Sequence, residues 1–103
     1  MKAIYLSLLL TGGILSAGAT QADEALAKAR NCFACHSIDK KVVGPAYKDV
    51  AAKYAGQKDA ETRLADKVIR GGKGSWGEVP MPPNTTVRPD EASKLVKWIL
   101  GMK

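Results

Sequence analysis

Histidine and cysteine are scarce in this chain: its 103 residues include one histidine, His36, and two cysteines, Cys32 and Cys35. No stretch alternates like a strand, so the βαβ setting of a thioredoxin-type thiol pair is missing. There is no basic run, internal repeat or low-complexity tract, and nucleic acid is not an expected partner. The net charge of +6, from 16 basic and 10 acidic residues, is a moderate excess. It suits a rim that steers docking onto an acidic partner.

Long apolar runs are also lacking. Ala3 to Leu10, extended by Ile14 and Leu15, is too short and too glycine-rich for a comfortable membrane span. With Lys2 before it and the small residues Ser16 to Ala22 behind it, the run reads as a secretory signal over residues 1–22. Cleavage fits after Ala19 or Ala22. Ala22 is preferred, because Asp23 then opens the mature chain with acidic residues suited to a helix start. The expected destination is the periplasm. No cysteine follows the cut to take a lipid anchor. Residues 23–103 form one domain of formal charge +5, with a marginal core of its own.

What the chain does hold is concentrated. Cys32-Phe-Ala-Cys-His36 gathers every thiol and the imidazole into five residues. This is the attachment pattern of a covalently bound c-type haem, which takes two thiols for its vinyl groups and one imidazole for its iron. On a helical turn the two cysteines share a face, advanced by roughly 4.5 Å. A Cys32–Cys35 disulfide would close a tiny loop and constrain little. A zinc site would need a fourth ligand from a carboxylate. Haem c, held by two thioethers, is the expected cofactor.

Helical periodicity accounts for most of the remaining chain. Helices are expected at Asp23 to Asn31, with Ala25, Leu26, Ala29 and Cys32 inward, and at Tyr47 to Tyr54, with Val50, Ala51 and Tyr54 on one face. A third runs from Asp59, as N-cap, to Arg70 with the stripe Ala60, Leu64, Ala65, Val68 and Ile69, stopped by Gly71-Gly72. The last runs from Pro89 to Met102, burying Ala92, Leu95, Val96, Ile99 and Leu100 and leaving Lys94, Lys97 and Lys103 in water. Residues 71–88 carry no periodicity, and a loop of that length in a small domain needs a function.

That loop contains Met81 in Pro80-Met-Pro-Pro-Asn84. Opposite His36 no second histidine remains. Met1 leaves with the leader, and Met102 sits at the end of a helix that packs by its stripe. Prolines on both sides of Met81 stiffen the loop and lower its entropy loss. The candidate axial pair is therefore His36 and Met81, with an ordinary packed methionine as the alternative. A thioether ligand raises the reduction potential. With both axial positions filled, electron transfer is favoured over oxygen or peroxide chemistry.

The chain resembles the short bacterial class I cytochromes c, small soluble monohaem carriers. The likeness rests on Cys32-Phe-Ala-Cys-His36, Val43-Gly-Pro-Ala-Tyr-Lys-Asp-Val-Ala-Ala-Lys53, Trp76-Gly77, Pro80-Met-Pro-Pro-Asn84 and Leu95-Val-Lys-Trp-Ile-Leu100, and spans the mature chain. It implies an all-α fold of four to five short helices around one haem, with His36 and Met81 as axial ligands. It implies that the Pro45 carbonyl orients the His36 ring, that Trp76 donates to a haem propionate, and that Asn84 hydrogen-bonds near the Met81 sulfur. Lys67 stands where some members carry an arginine near a propionate. Plain packing remains open for Trp76, and is preferred for Trp98; Pro45 has a plain turn as its alternative.

The expected function is one-electron transfer, without enzymatic activity, between larger respiratory or denitrification proteins: a reductase, an oxidase or a peroxidase. The expected docking face holds Phe33, Ala34, Val42, Val43, Val79 and Pro82, ringed by Lys28, Lys40, Lys41 and Lys48. A monomer is expected. The competing class is a haem enzyme or gas sensor with a labile sixth ligand.

Overall fold

The computed structural model describes residues 16–103, with side chains from Asp23 onward. The start of the expected leader, with Lys2 and the apolar run, lies outside the described residues. Four α-helices follow in order: α1 Ser16–Ala29, α2 Tyr47–Lys53, α3 Ala60–Arg70 and α4 Pro89–Leu100. A single 3-10 turn, Cys32–Ala34, follows α1. Among the described residues there is no strand, only isolated bridge pairs between His36 and Lys41 and between Gly72 and Met81.

Helix α4 is the hub, packing on α1, α2 and α3. Its first turn is prepared locally. Pro89 needs no N–H partner at that position, and Asp90 and Glu91 face the positive end of the helix dipole. Glu91 also accepts the Arg88 N–H at 3.1 Å. The inward residues Ala92, Leu95, Val96 and Ile99 are all buried, as the periodicity requires, while Leu100 is half-buried. Two small clusters flank this helix. One gathers Tyr47, Val50, Tyr54, Ala60 and Ile99, the other Ala27, Val87, Ala92 and Leu95.

Helix α1 departs from the expected frame. It starts before Asp23, in a run where alanine recurs at 17, 19 and 22. Its fully buried residue is Ala27, while Ala25 and Ala29 are exposed. The rotation has an electrostatic cause on the same face. Arg30 reaches Glu91 with two bonds, Nε to Oε1 at 3.2 Å and Nη2 to Oε2 at 2.8 Å. Ala27, fully buried, then packs in one cluster with Ala92 and Leu95 of α4.

Two local details add to the expected picture. Asp59 stands at the N-cap of α3 but makes no cap hydrogen bond; its carboxylate instead pairs with Arg63 at 3.0 Å. Val87, in the segment without periodicity, is buried. The stripe of α3 remains only half-buried at Leu64, Ala65, Val68 and Ile69. Leu64 and Val68 line a cavity instead of a closed core.

The bidentate Arg30 pair holds the Glu91 carboxyl below its usual range, with the Arg88 N–H as a second cause. A depressed folded value gives stability that is present above the unfolded pKa of about 4.3 and is lost as pH falls through the folded one. Glu91→Gln should therefore be less stable than the parent at neutral pH, and the difference should shrink on acidification. Denaturant midpoints of the two proteins against pH measure this; a constant difference down to about pH 3 contradicts it.

Candidate functional site

The site is assembled from three pieces of chain around one apolar cavity. The first is the 3-10 turn. Asn31 enters it in the left-handed region with φ 63°, and the His36 N–H closes on the Cys32 carbonyl at 3.0 Å. This turn puts Cys32, Cys35 and His36 on the cavity wall. Both thiols are free and half-buried. Burial pushes the Cys32 thiol above its usual range, against the opposing effect of the Tyr47 hydroxyl. A reactive dithiol needs the opposite shift.

The second piece is the loop after the turn. The Gly44 and Val43 N–H groups both donate to the Cys35 carbonyl, at 2.7 and 3.1 Å. They hold the backbone against the imidazole. Nδ1 of His36 donates to the Pro45 carbonyl at 2.8 Å, which fixes the tautomer and leaves the Nε2 lone pair available to a metal. On the ring's face Tyr47 stacks at 4.9 Å between centroids with 24° between planes. Tyr47 is itself buried, with Phe33 tilted at 5.9 Å and Trp98 edge-on at 5.7 Å. Burial, then the neighbouring Cys32, drives the Tyr47 hydroxyl far above its ordinary range, so it stays protonated.

The third piece is the long loop. Met81 lies on the cavity, half-buried, with Pro80 and Pro82 on either side. Asn84 does not line the cavity. Its Nδ2 donates to the Val68 carbonyl at 2.8 Å and, more weakly, to Pro82 at 3.4 Å. Trp76 stands on the rim, 41% exposed, which sets it apart from the packed Trp98. The Lys53 ammonium sits 4.7 Å over the indole and donates to the Ser75 carbonyl at 3.0 Å. Lys67 donates to the Ser75 hydroxyl at 2.7 Å. The remaining wall is apolar, with Leu64, Val68, Leu95, Val96 and Ile99.

This donor set fits a covalently attached haem. Two thiols, an oriented imidazole and a thioether open on one apolar space, and its rim carries Lys67, Lys73 and the Trp76 indole for anionic groups. Among the described residues no three histidine, cysteine or acidic side chains converge as a metal site.

The family model for cytochrome c matches residues 20–103. The chain is a member of the cytochrome c family. It is 57% identical to cytochrome c-551 of Pseudomonas aeruginosa over 95% of this chain and 94% of that protein. It is 50% identical to cytochrome c-552 of Nitrosomonas europaea over the whole of both. The crystal structure of wild-type Nitrosomonas europaea cytochrome c552 superposes with a TM-score of 0.76 at 54% identity, covering 78% of this chain and 99% of that one. Haem c is the cofactor of this cytochrome, and the all-α fold is that of its class I relatives.

Several residues of the site escaped the sequence reading. Gly44 lies inside the Val43-to-Lys53 segment of the likeness with no role attached to it, yet a Cβ there would stand 2.5 Å from Cε1 of His36. Tyr47 was visible only as the start of a helix. Lys53 ends a segment of the family likeness but had no site role attached, and Ser75 carried no signal, because nothing in a lone lysine or serine marks a neighbour many residues away. Gly44→Ala should cost about 1–3 kcal/mol, the range for overpacking a filled site. It should also shift the NMR resonances of the His36 ring. Denaturant melts and ring shifts matching the parent would show that the contact relaxes freely.

Proposed function

We propose that this cytochrome is an exported one-electron carrier in which Cys32 and Cys35 hold the haem by thioethers and His36 and Met81 are its axial ligands. The observation that carries the reading is the shared cavity, onto which the His36 imidazole and the Met81 side chain both open. When bound, the haem supplies an iron that cycles between ferric and ferrous. The chain's own contribution is to hold both ligands in either state. The Pro45 carbonyl and the Tyr47 ring keep the imidazole from turning. Prolines around Met81 keep the sulfur from wandering. The apolar wall excludes water, so little solvent must reorganise when charge changes. Trp76, Lys67 and Lys73 serve the propionates, and Asn84 fixes the path of the loop that carries Met81.

With both axial positions filled by the protein there is no vacant coordination position for a substrate. This supports a carrier over an enzyme or gas sensor. Docking is proposed at Val42, Val43 and Val79, which are 54%, 50% and 64% exposed, together with Ala34 and Pro82. Phe33 does not belong to this face; it packs inward on Tyr47 and Trp98. Of the surrounding lysines Lys28, Lys40, Lys41 and Lys48 are exposed, and Lys48 is partly neutralised by Asp39 at 2.7 Å. Such a small apolar face ringed by cations suits brief contacts with larger redox proteins by a monomer.

Export to the periplasm rests on the leader at residues 1–22 and on the chemistry of haem attachment. A cut at Ala22 leaves 81 of the 103 residues, a length close to the 78% of the chain that matches the solved relative. Among the described residues no helix is long and apolar enough to cross a membrane.

Met81→Ala should abolish the weak far-red ferric band of Met/His ligation and lower the reduction potential, because a thioether favours ferrous iron. An unchanged spectrum and midpoint would sink the proposed coordination. Electron-transfer rates with an acidic redox partner should fall as ionic strength rises. A flat salt profile removes the steering role of the lysines.

A further inference from the structure

The end of α3 and the loop that carries Met81 are fastened together at two points. At the first, Gly72 and Met81 exchange both backbone hydrogen bonds, Gly72 N–H to Met81 carbonyl at 3.0 Å and Met81 N–H to Gly72 carbonyl at 2.7 Å. At the second, the Val68 carbonyl, in the last turn of α3, accepts both the Asn84 N–H at 3.1 Å and the Asn84 Nδ2 at 2.8 Å. Carbonyls at a helix end have no partner within the helix. The Met81 loop satisfies one of them, so the loop and the helix end complete each other.

Gly71 is the residue that permits this contact. Its φ of 77° and ψ of −176° lie in a region open essentially to glycine alone. A Cβ at this position would stand 2.5 Å from the Met81 carbonyl oxygen, 2.9 Å from the Pro83 nitrogen and 3.0 Å from the Pro82 carbonyl carbon. All three are backbone atoms, with no flexible side chain to yield. Between the two fastenings lie only Pro82 and Pro83, which cannot absorb a displacement by turning φ.

We infer that Gly71 is a positioning residue for Met81: the bare glycine lets the end of α3 clasp the Met81 backbone, and this clasp keeps the sulfur at the haem against competing ligands. The inference rests on Met81 being the axial ligand. Release of Met81 then requires the clasp to open, and its strength sets how easily an outside ligand takes the position.

The test uses the ferric holoprotein, with imidazole as the probe ligand and loss of the far-red band as the readout. Any strain that weakens the Met81-bound state raises the apparent affinity of the competitor. Gly71→Ala should bind imidazole about tenfold more tightly or better, given the usual cost of such a backbone. Gly56→Ala is the control. Gly56 has a similar φ of 79° but nothing within 4 Å of its added Cβ. It should lower the unfolding midpoint and leave imidazole affinity unchanged. Equal imidazole affinities in the two variants overturn the clasp.

A second measurement needs no variant. Saturating the unmodified protein with imidazole should speed hydrogen exchange at the Gly72, Met81 and Asn84 amides, while the buried α4 amide of Leu95 keeps its rate. Unchanged exchange at those three amides overturns the inference, whether or not Gly71→Ala folds. Met81→Ala separates the two ways of failing. If it leaves the band and the imidazole affinity as they were, Met81 is not the ligand and the clasp falls with it. If it removes the band while Gly71→Ala binds imidazole like the parent, the coordination stands and only the clasp is wrong.

Discussion

Leu64, Ala65, Val68 and Ile69 of α3 stay half-exposed although α4 packs beside them, and this shortage of apolar partners shapes the rest of the molecule. A chain of this size buries too little surface to close a core by itself. Its two small clusters flank α4 without filling the space before α3. A haem held in that space, as proposed, would supply contacts to Leu64 and Val68, so that cofactor and core would answer one shortage together. The cavity wall is largely apolar, with Leu64, Val68, Leu95, Val96 and Ile99.

The polar contacts of the site act mostly one step behind the proposed ligands. The Pro45 carbonyl and Tyr47 act on His36. Gly71, Gly72 and Asn84 act on the backbone around Met81. Lys53 and Ser75 act on the Trp76 segment. Each of these links joins segments distant in sequence by a backbone group or a small side chain. Precision at the centre therefore depends on loops whose own amino acids look ordinary.

This explains what could be read in advance. The stripe and first turn of α4 follow from local periodicity, a proline and two acids, and the structure keeps them. The five-residue haem motif is equally local. The frame of α1 was not legible, because alanines at 25, 27 and 29 offer no single apolar face; the Arg30–Glu91 pair, 61 residues apart, decides it. Asp59 stands at the N-cap as its position suggested, but it makes no cap bond, because Arg63, one turn on, takes its carboxylate. Val87 and the Gly72–Met81 bridge could not be seen, since neither belongs to a repeating pattern and both depend on tertiary partners.

The Arg30–Glu91 tie has a consequence for how such a molecule changes over generations. It locks the first and last helices across the 61-residue interval in which Cys32, His36, Pro45, Trp76, Met81 and Asn84 all fall. The frame is thus fastened outside the segment that does the chemistry. Insertions or exchanges in the loops between can alter partner choice and pocket polarity while the scaffold stays assembled, a modular division of labour written into a very short polypeptide.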